Sequence, residues 1–386
     1  MACDALVVGG GPAGSTCARA LARSGIDVVV MDKRTFPRDK VCAGWITPAV
    51  VESLELDVDD YRRGRVFQPI TGFRTGILDG REVDTDYTQP VSFGIRRLEF
   101  DDYLLRRSGA RLELGQALRT IERDGKGFVV NGRIRAHVLV GAGGHFCPVA
   151  RYLGADLGTG ESIIAAQELE FALTPDQFER CAAVGERPEL YFCPDLKGYG
   201  WCFRKGQYLN IGLGREDTHR LSEQLVAFWG FLKRRGTIGF DPPSRSNGHA
   251  YLLYGHAPRD VVGDGVLLIG DAAGLAYAQS GEGIRPAIES GLMAAETILG
   301  GSGDCRAERL AAYRERLSAR FGPRESRSLS EHVPAALKRA LGRALMASAW
   351  FTRHVVLDHW FLHRNIAPLS PSGDRLSESP RIASAA

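Results

Sequence analysis

The sequence predicts an α/β protein in which a Rossmann-like, dinucleotide-binding parallel sheet carries an inserted antiparallel-sheet domain and ends in a C-terminal helical segment. Three observations predict it: a βαβ pattern in the first thirty-two residues, a strand-rich stretch over residues 160–255, and a late apolar strand, Val266-Leu267-Leu268-Ile269, that runs through a glycine-rich turn into a helix. Residues 5–8 are an apolar run, the sign of a strand buried on both faces. Gly9, Gly11 and Gly14 follow in GxGxxG register with Pro12 and Ala13 between them. An apolar-periodic helix (Ala18, Leu21, Ala22) comes next and is stopped by Gly25, after which residues 27–31 form a second buried strand. The first glycine permits the tight turn, the second lets the backbone close on a pyrophosphate, and the third lets helix and strand pack closely. Free N–H groups at the positive helix end then face the phosphates. Asp32, at the end of the second strand, is placed to accept hydrogen bonds from a ribose diol. Its charge repels a 2′-phosphate, so the nucleotide is FAD or NAD rather than NADP.

The remaining elements follow in order. Lys33 and the run Phe36-Pro37-Arg38-Asp39-Lys40-Val41-Cys42 lead to Thr47 as N-cap and Pro48 as the first residue of a helix. Residues 42–46, with Cys42 and Ala43, are thereby a loop between strand and helix, a place that often carries chemistry. Residues 66–95 are short strands with turns at Thr71-Gly72 and Asp79-Gly80. A helix starts at Arg97, and residues 112–114, 117–121, 128–130 and 134–140 are strands. The last ends in Gly141-Ala142-Gly143-Gly144, which has neither a third glycine in register nor an acidic residue after a further strand. No second nucleotide site is expected there, so a nicotinamide donor would visit transiently.

Residues 199–203 and 208–213 flank a turn at Lys205-Gly206-Gln207 and form a hairpin. With a period of two, Tyr199, Trp201 and Phe203 share one face, and Gly200, Cys202 and Arg204 the other. An aromatic stripe of this kind belongs to a core or walls an apolar pocket. After the 266–269 strand come Gly270 and Asp271, then Gly281, Glu282, Gly283 and Ile284 at the start of a helix. Asp271 needs partners at the end of a buried strand, and the positive helix end near Gly283 suits the negative charge of a reduced flavin. Arg285 in that first turn opposes the macrodipole, a cost that an anionic ligand or a carboxylate offsets. The arginine-rich stretch over residues 306–327 has the pattern of a solvated helix.

These elements divide the chain into a discontinuous nucleotide-binding domain (1–65, 96–160, 256–330), a substrate-binding β-sheet domain (66–95, 161–255), C-terminal helices (331–370) and a disordered tail (371–386). The Trp/Phe-rich C-terminal helices cap the core or lie on a membrane surface, with capping favoured. A hydrophobic content of 44% supplies a large core, and a net charge of +3 is too mild to point to nucleic acid. The eight cysteines form no CxxC pair and no Cys/His cluster, so no metal site is expected. Cys3 and Cys17 fit the buried thiols of a reduced, cytoplasmic protein. The chain enters its first strand without a signal-peptide pattern, and no apolar run approaches the roughly twenty residues of a bilayer crossing.

The Phe36–Cys42 run, Arg97-Leu98-Glu99-Phe100-Asp101, Gly270-Asp271-Ala272-Ala273-Gly274 and Gly281-Glu282-Gly283-Ile284, in this order, resemble the geranylgeranyl reductase family of FAD-dependent oxidoreductases, which share the para-hydroxybenzoate hydroxylase fold. The resemblance covers about residues 1 to 300. It implies FAD held by Gly9, Gly11, Gly14, Asp32, Arg97 and Asp271, with the 281–284 loop against the isoalloxazine. The same motifs place Pro12, Ala13, Lys33, Arg38, Ala43 and Gly270 among the cofactor contacts. The family's Tyr-x-Trp-x-Phe-Pro-Lys-Gly signature is met by Tyr199, Trp201, Phe203, Lys205 and Gly206, and its cysteine by Cys42.

Three departures stand out: Gly143 where many flavin hydroxylases carry an acid, Arg204 in place of the signature proline, and Ala278-Gln279-Ser280 where a proline usually precedes Gly-Glu-Gly. The expected activity is reduction of carbon–carbon double bonds in a prenyl or other long apolar substrate. Cys42, Trp201 and Tyr199 are the catalytic candidates, and Tyr199, Trp201, Phe203 and Arg285 would contact substrate. A flavin monooxygenase on a secondary-metabolite scaffold is the alternative, a halogenase a more distant one, and a non-catalytic lipid-binding flavoprotein a third class. The electron donor stays open between NAD(P)H and a ferredoxin-like protein, and the proton donor is unassigned.

Overall fold

The computed structural model describes residues 1–125, 127–156, 163–216, 220–243, 247–254, 259–322 and 335–370. The expected disordered tail over 371–386 and part of the arginine-rich stretch lie outside the described residues. The first strand, Ala2–Val8, sits inside a sheet ordered Val262–Gly263, Val266–Leu268, Ile134–Gly141, Ala2–Val8, Val28–Asp32 and Arg111–Leu114. The pairings from Val266–Leu268 through to Arg111–Leu114 are parallel. Gly127–Val130 and Ile121–Asp124 extend the sheet as an antiparallel hairpin. Val8 lies opposite both Gly141 and Met31, and Gly141 opposite Leu268. The loops after Val8, Asp32, Gly141 and Leu268 therefore gather at one edge, the carboxyl end where open α/β sheets bind ligands.

Two helices cover the sheet centre at close range. Pro12–Arg23 packs on Ile284–Gly300, and a Cβ on Gly291 would stand 2.6 Å from the Ala13 carbonyl oxygen. That approach seats the amino ends of both helices beside the same loops.

A second sheet of seven strands runs in the order Asn247–Leu252, Ile163–Ala172, Tyr208–Arg215, Gly198–Lys205, Glu189–Phe192, Gly72–Ile77 and Glu82–Asp86. It is antiparallel except for one pair, Glu189–Phe192 with Gly72–Ile77, which runs parallel. The period-two reading of the hairpin holds. Cys202 packs under the helix Leu221–Arg234 with Leu225, Phe228 and Trp229, whereas Trp201 and Phe203 face Trp45 and the C-terminal segment. The Leu221–Arg234 helix inside the strand-rich stretch is an addition to the expected architecture.

Other boundaries differ for local reasons. The expected strand over 117–121 begins only at Ile121, where pairing with Val130 starts. Gly72 opens a strand instead of forming a turn, while Asp79, at a φ of 58°, does turn the chain. The expected loop over 42–46 closes in a two-residue strand, Trp45–Ile46, paired with Ser92–Gly94. C-terminal to Ala335–Met346, Thr352–Phe361 winds as a wide π-type helix whose Val356, Leu357 and Phe361 are buried against Trp45 and Phe203. This segment caps the sheet. No helix among the described residues is long and apolar enough to cross a membrane.

Candidate active site

One cavity of about 890 Å³ runs from the glycine-rich turn to the aromatic face of the second sheet. Its nucleotide end is built by three glycines with different duties. A Cβ on Gly9, whose φ is +118°, would fall 2.3 Å from the Ala142 carbonyl oxygen, so the turn is pressed against the 141–144 loop. A Cβ on Gly14 would fall 1.9 Å from the Gly9 carbonyl oxygen, which makes this glycine a packing residue off the cavity wall. Gly11 lines the cavity with Pro12 and Ala13, and its Cβ position is open to within 3.4 Å of Arg38 Nη2. Asp32 lines it too, oriented by the N–H of Gly10 and the N–H of Arg34, each at 2.8 Å. Each carboxylate oxygen keeps a free lone pair for a ribose hydroxyl.

Further along, Arg97 donates to both carboxylate oxygens of Asp101 at 2.7 and 2.8 Å, and Arg38 stands 3.2 Å from the same carboxylate. Arg38, Arg97 and Lys33 all line the cavity. Asp271, in the 3-10 turn Gly270–Ala273, faces Lys40 and His249, each at 3.5 Å, while Lys40 Nζ and His249 Nε2 are 2.7 Å apart. Burial opposes the charge of Asp271, yet the Lys40 ammonium and the imidazole hold its carboxyl well below the usual range. Burial, with Lys40 alongside, keeps His249 neutral by pushing its pKa down. Gly270 does not line the cavity; its φ of +58° lets the turn pass close to Ala13.

The far end brings together Cys42, Ala43, Tyr199, Trp201, Tyr251 and the 281–284 loop. The Tyr199 hydroxyl donates to the Ser280 carbonyl at 2.6 Å, tying the aromatic strand to that loop. The Trp201 indole N–H donates to Asn210 Oδ1 at 2.6 Å. Asn210 in turn donates to the Cys42 carbonyl at 3.2 Å, and the Cys42 N–H donates to Glu168 at 2.8 Å. The cysteine loop is thus fixed to the sheet by a buried polar network. Burial pushes the Cys42 thiol above its ordinary range, so the adjacent helix start does not make it a thiolate.

Two expected substrate contacts are corrected. Phe203 is fully buried, its ring beside Gly94 and Trp45, and does not line the cavity. Arg285 is 1% exposed, pairs with Glu289 at 2.8 Å and donates to the carbonyls of His363, Ile366 and Ala367. It is the carboxylate-paired arginine of the two readings, holding the C-terminal segment down. Lys40, His249, Glu168 and Asn210 are site residues that the sequence reading passed over. Lys40 lies inside a motif already quoted, whereas His249 is a lone histidine on an edge strand and carries no local signal.

These residues fit FAD. The pyrophosphate position has space at Gly11 and a helix amino end, Asp32 has acceptors left for a ribose, and the amino end of Ile284–Gly300 faces the opposite end of the same cavity. The chain matches the FAD binding domain family over residues 2–205. It is 34% identical over 321 residues to a menaquinone reductase of Mycobacterium tuberculosis, with 76% of each chain covered. It is 30% identical over 358 residues to a digeranylgeranylglycerophospholipid reductase of Methanothrix thermoacetophila, covering 85% of this chain and 86% of the relative. A geranylgeranyl bacteriochlorophyll reductase-like protein from Thermoplasma acidophilum shares the fold, with a TM-score of 0.72 at 19% identity over 95% of this chain and 93% of the other. The chain belongs to the FAD-binding oxidoreductase family that includes the geranylgeranyl reductases, and it is an FAD-dependent oxidoreductase.

Proposed function

We propose that the enzyme reduces carbon–carbon double bonds in a prenyl or similarly long apolar chain. The observation that carries this reading is the far end of the cavity, where Tyr199 and Trp201 form an aromatic wall facing the Cys42 loop and the 281–284 loop. Such a wall recognises apolar area, at about 25 cal/mol per Å² buried, and makes no demand on one headgroup. Gly143 stands where many flavin hydroxylases carry an acid, which weighs against oxygenation. The two relatives are named as a menaquinone reductase and a digeranylgeranylglycerophospholipid reductase.

FAD, when bound and reduced, would supply the hydride for one carbon of the double bond. The protein's own work is to hold the chain against Tyr199 and Trp201, exclude water from the 281–284 loop, and deliver a proton to the other carbon. The electron donor that reduces the cofactor is NAD(P)H or a ferredoxin-like protein. In the same proposal the C-terminal helices touch a lipid surface, since Trp350 is 67% and Leu341 56% exposed.

The test is a panel of prenylated lipids and quinones given to chemically reduced enzyme without oxygen. The expected product gains two hydrogens per double bond, and fragmentation places them on the chain. Hydrogens placed on a quinone ring alone would overturn the reading.

A further inference from the structure

The Gly281–Gly283 loop and the C-terminal segment meet at a group of buried polar atoms that the cofactor site leaves unused. Glu282 lines the cavity, and its side chain is 9% exposed. Its Oε1 accepts the Arg285 N–H at 3.0 Å in the first turn of the Ile284–Gly300 helix. Its Oε2 is buried with no hydrogen-bond partner among the described residues, and it stands 4.0 Å from His363 Nε2. That ring nitrogen is also buried without a hydrogen-bond partner, and so is the hydroxyl of Tyr277, whose ring stacks on His363 at 3.7 Å. Buried polar atoms without partners are rare, and three in one place call for a role.

The surrounding charges are committed elsewhere. The Arg285 guanidinium turns to Glu289 and the C-terminal carbonyls, Arg320 also binds Glu289, and the Tyr199 hydroxyl is spent on Ser280. Burial, with Glu289 adding to it, therefore lifts the Glu282 carboxyl to about 7, against the pull of the Arg285 N–H and charge. Burial and then Arg285 and His359 push His363 down to about 4, so its imidazole is neutral. The other carboxyls lining the cavity differ: Asp32 is held by two backbone N–H groups, Asp271 faces Lys40, and Asp39 is exposed to water.

We propose that Glu282 is the proton donor for the double-bond reduction and that His363, acting through Glu282, restores its proton. The inference rests on the reductive reading of the reaction. Glu282 would give its proton to one carbon of the double bond, taken up by the electron pair of the breaking π bond, while the hydride that reduced FAD would supply goes to the other carbon. The carboxylate left behind accepts a proton from one ring nitrogen of His363, and the other ring nitrogen takes one from water. The substrate thus gains a hydride and a proton, Glu282 is reprotonated, and His363, left in its other tautomer, returns to the first by proton exchange with water. The neighbours Arg364 and Asn365 are exposed, one and two residues from the buried His363.

Glu282→Gln keeps an acceptor for the Arg285 N–H, so folding and FAD content are expected to persist. Anaerobic single-turnover reduction should slow by about 100-fold or more, within the range of a lost general acid. In the wild type the rate should fall as pH rises through about 7, and the variant should lose that limb. His363→Asn suits the φ of 46° at this position, because asparagine tolerates positive φ. It should be slowed and then recovered by added imidazole. Infrared titration of the oxidised holoprotein gives a readout apart from turnover: a carboxylic-acid carbonyl band titrating near 7 that is lost in Glu282→Gln and kept in Glu168→Gln, which removes the separate band of Glu168 near 8.

Wild-type turnover in Glu282→Gln, or no such band in the wild type, overturns the donor role. Imidazole that fails to restore His363→Asn overturns the relay. A wild type that makes no saturated product overturns the reductive reading and the donor role with it, while the infrared band still reports separately on the carboxyl.

Discussion

Gly11 and Gly14 separate binding from folding within one motif. A side chain at Gly11 meets Arg38 only at ordinary contact distance in the protein itself, but it enters the space of a pyrophosphate. Gly11→Val should therefore fold and purify without flavin. Gly14→Ala, whose Cβ would stand 1.9 Å from a backbone oxygen, should lose the fold itself. Flavin absorbance and circular dichroism of the two variants check this; a yellow Gly11→Val contradicts it. At the other end of the cavity two carboxyls share one ammonium. Lys205 Nζ donates to Glu170 at 2.8 Å and to the Ile95 carbonyl at 2.9 Å, holding Glu170 ionised despite burial. Burial lifts the neighbouring Glu168 from 4.5 to about 8. The folded protein keeps a proton there that the unfolded chain releases, so this stability is whole below pH 4.5 and is lost as pH rises through about 8. Glu168→Gln preserves the neutral shape. Its Tm should exceed that of the wild type at pH 8 and above by more than it does at pH 5, whereas a pH-independent difference would contradict the assignment. The glycines and Asp32 were legible because they are consecutive in one motif. Glu168 was not, since its partner Cys42 is 126 residues away and only the docking of the cysteine loop on the second sheet brings them together.

The Gly198–Lys205 strand has two faces with separable roles. Phe228, 2% exposed on the Leu221–Arg234 helix, packs against Gly200 on the structural face. Phe228→Ala should lower stability by about 3–5 kcal/mol in urea denaturation while FAD content is kept. Trp201 lines the cavity on the other face, so Trp201→Ala should weaken binding of long substrates more than short ones, because less apolar area is buried along the chain. Equal loss for all chain lengths would remove Trp201 from the substrate wall. The alternation of Tyr199, Trp201 and Phe203 against Cys202 showed the two faces in the sequence, but not where the wall ends: Phe203 is sealed behind Trp45 and Gly94. The Leu221–Arg234 helix had a legible signal in the helical spacing of Leu221, Leu225, Phe228, Trp229 and Leu232. The strand Trp45–Ile46 had none, as two residues form a strand only because Ser92–Gly94 lies opposite.

At the scale of the whole molecule, the cavity joins the carboxyl edge of the parallel sheet to one face of the second sheet, and the C-terminal segment closes over that face. The order of motifs revealed the cofactor and family. The joining was not legible, because it depends on Tyr199 reaching Ser280 and on Arg285 gripping the carbonyls of His363, Ile366 and Ala367 across about eighty residues. All of it serves one claim, that electrons held in the cofactor end in a saturated carbon–carbon bond. The most direct measurement is rapid mixing of chemically reduced holoenzyme with a prenylated substrate in the absence of oxygen. Flavin absorbance should return as saturated product forms, one flavin oxidised for each double bond lost. Flavin that stays reduced until oxygen is admitted, with a product that carries an atom of that oxygen, would contradict it.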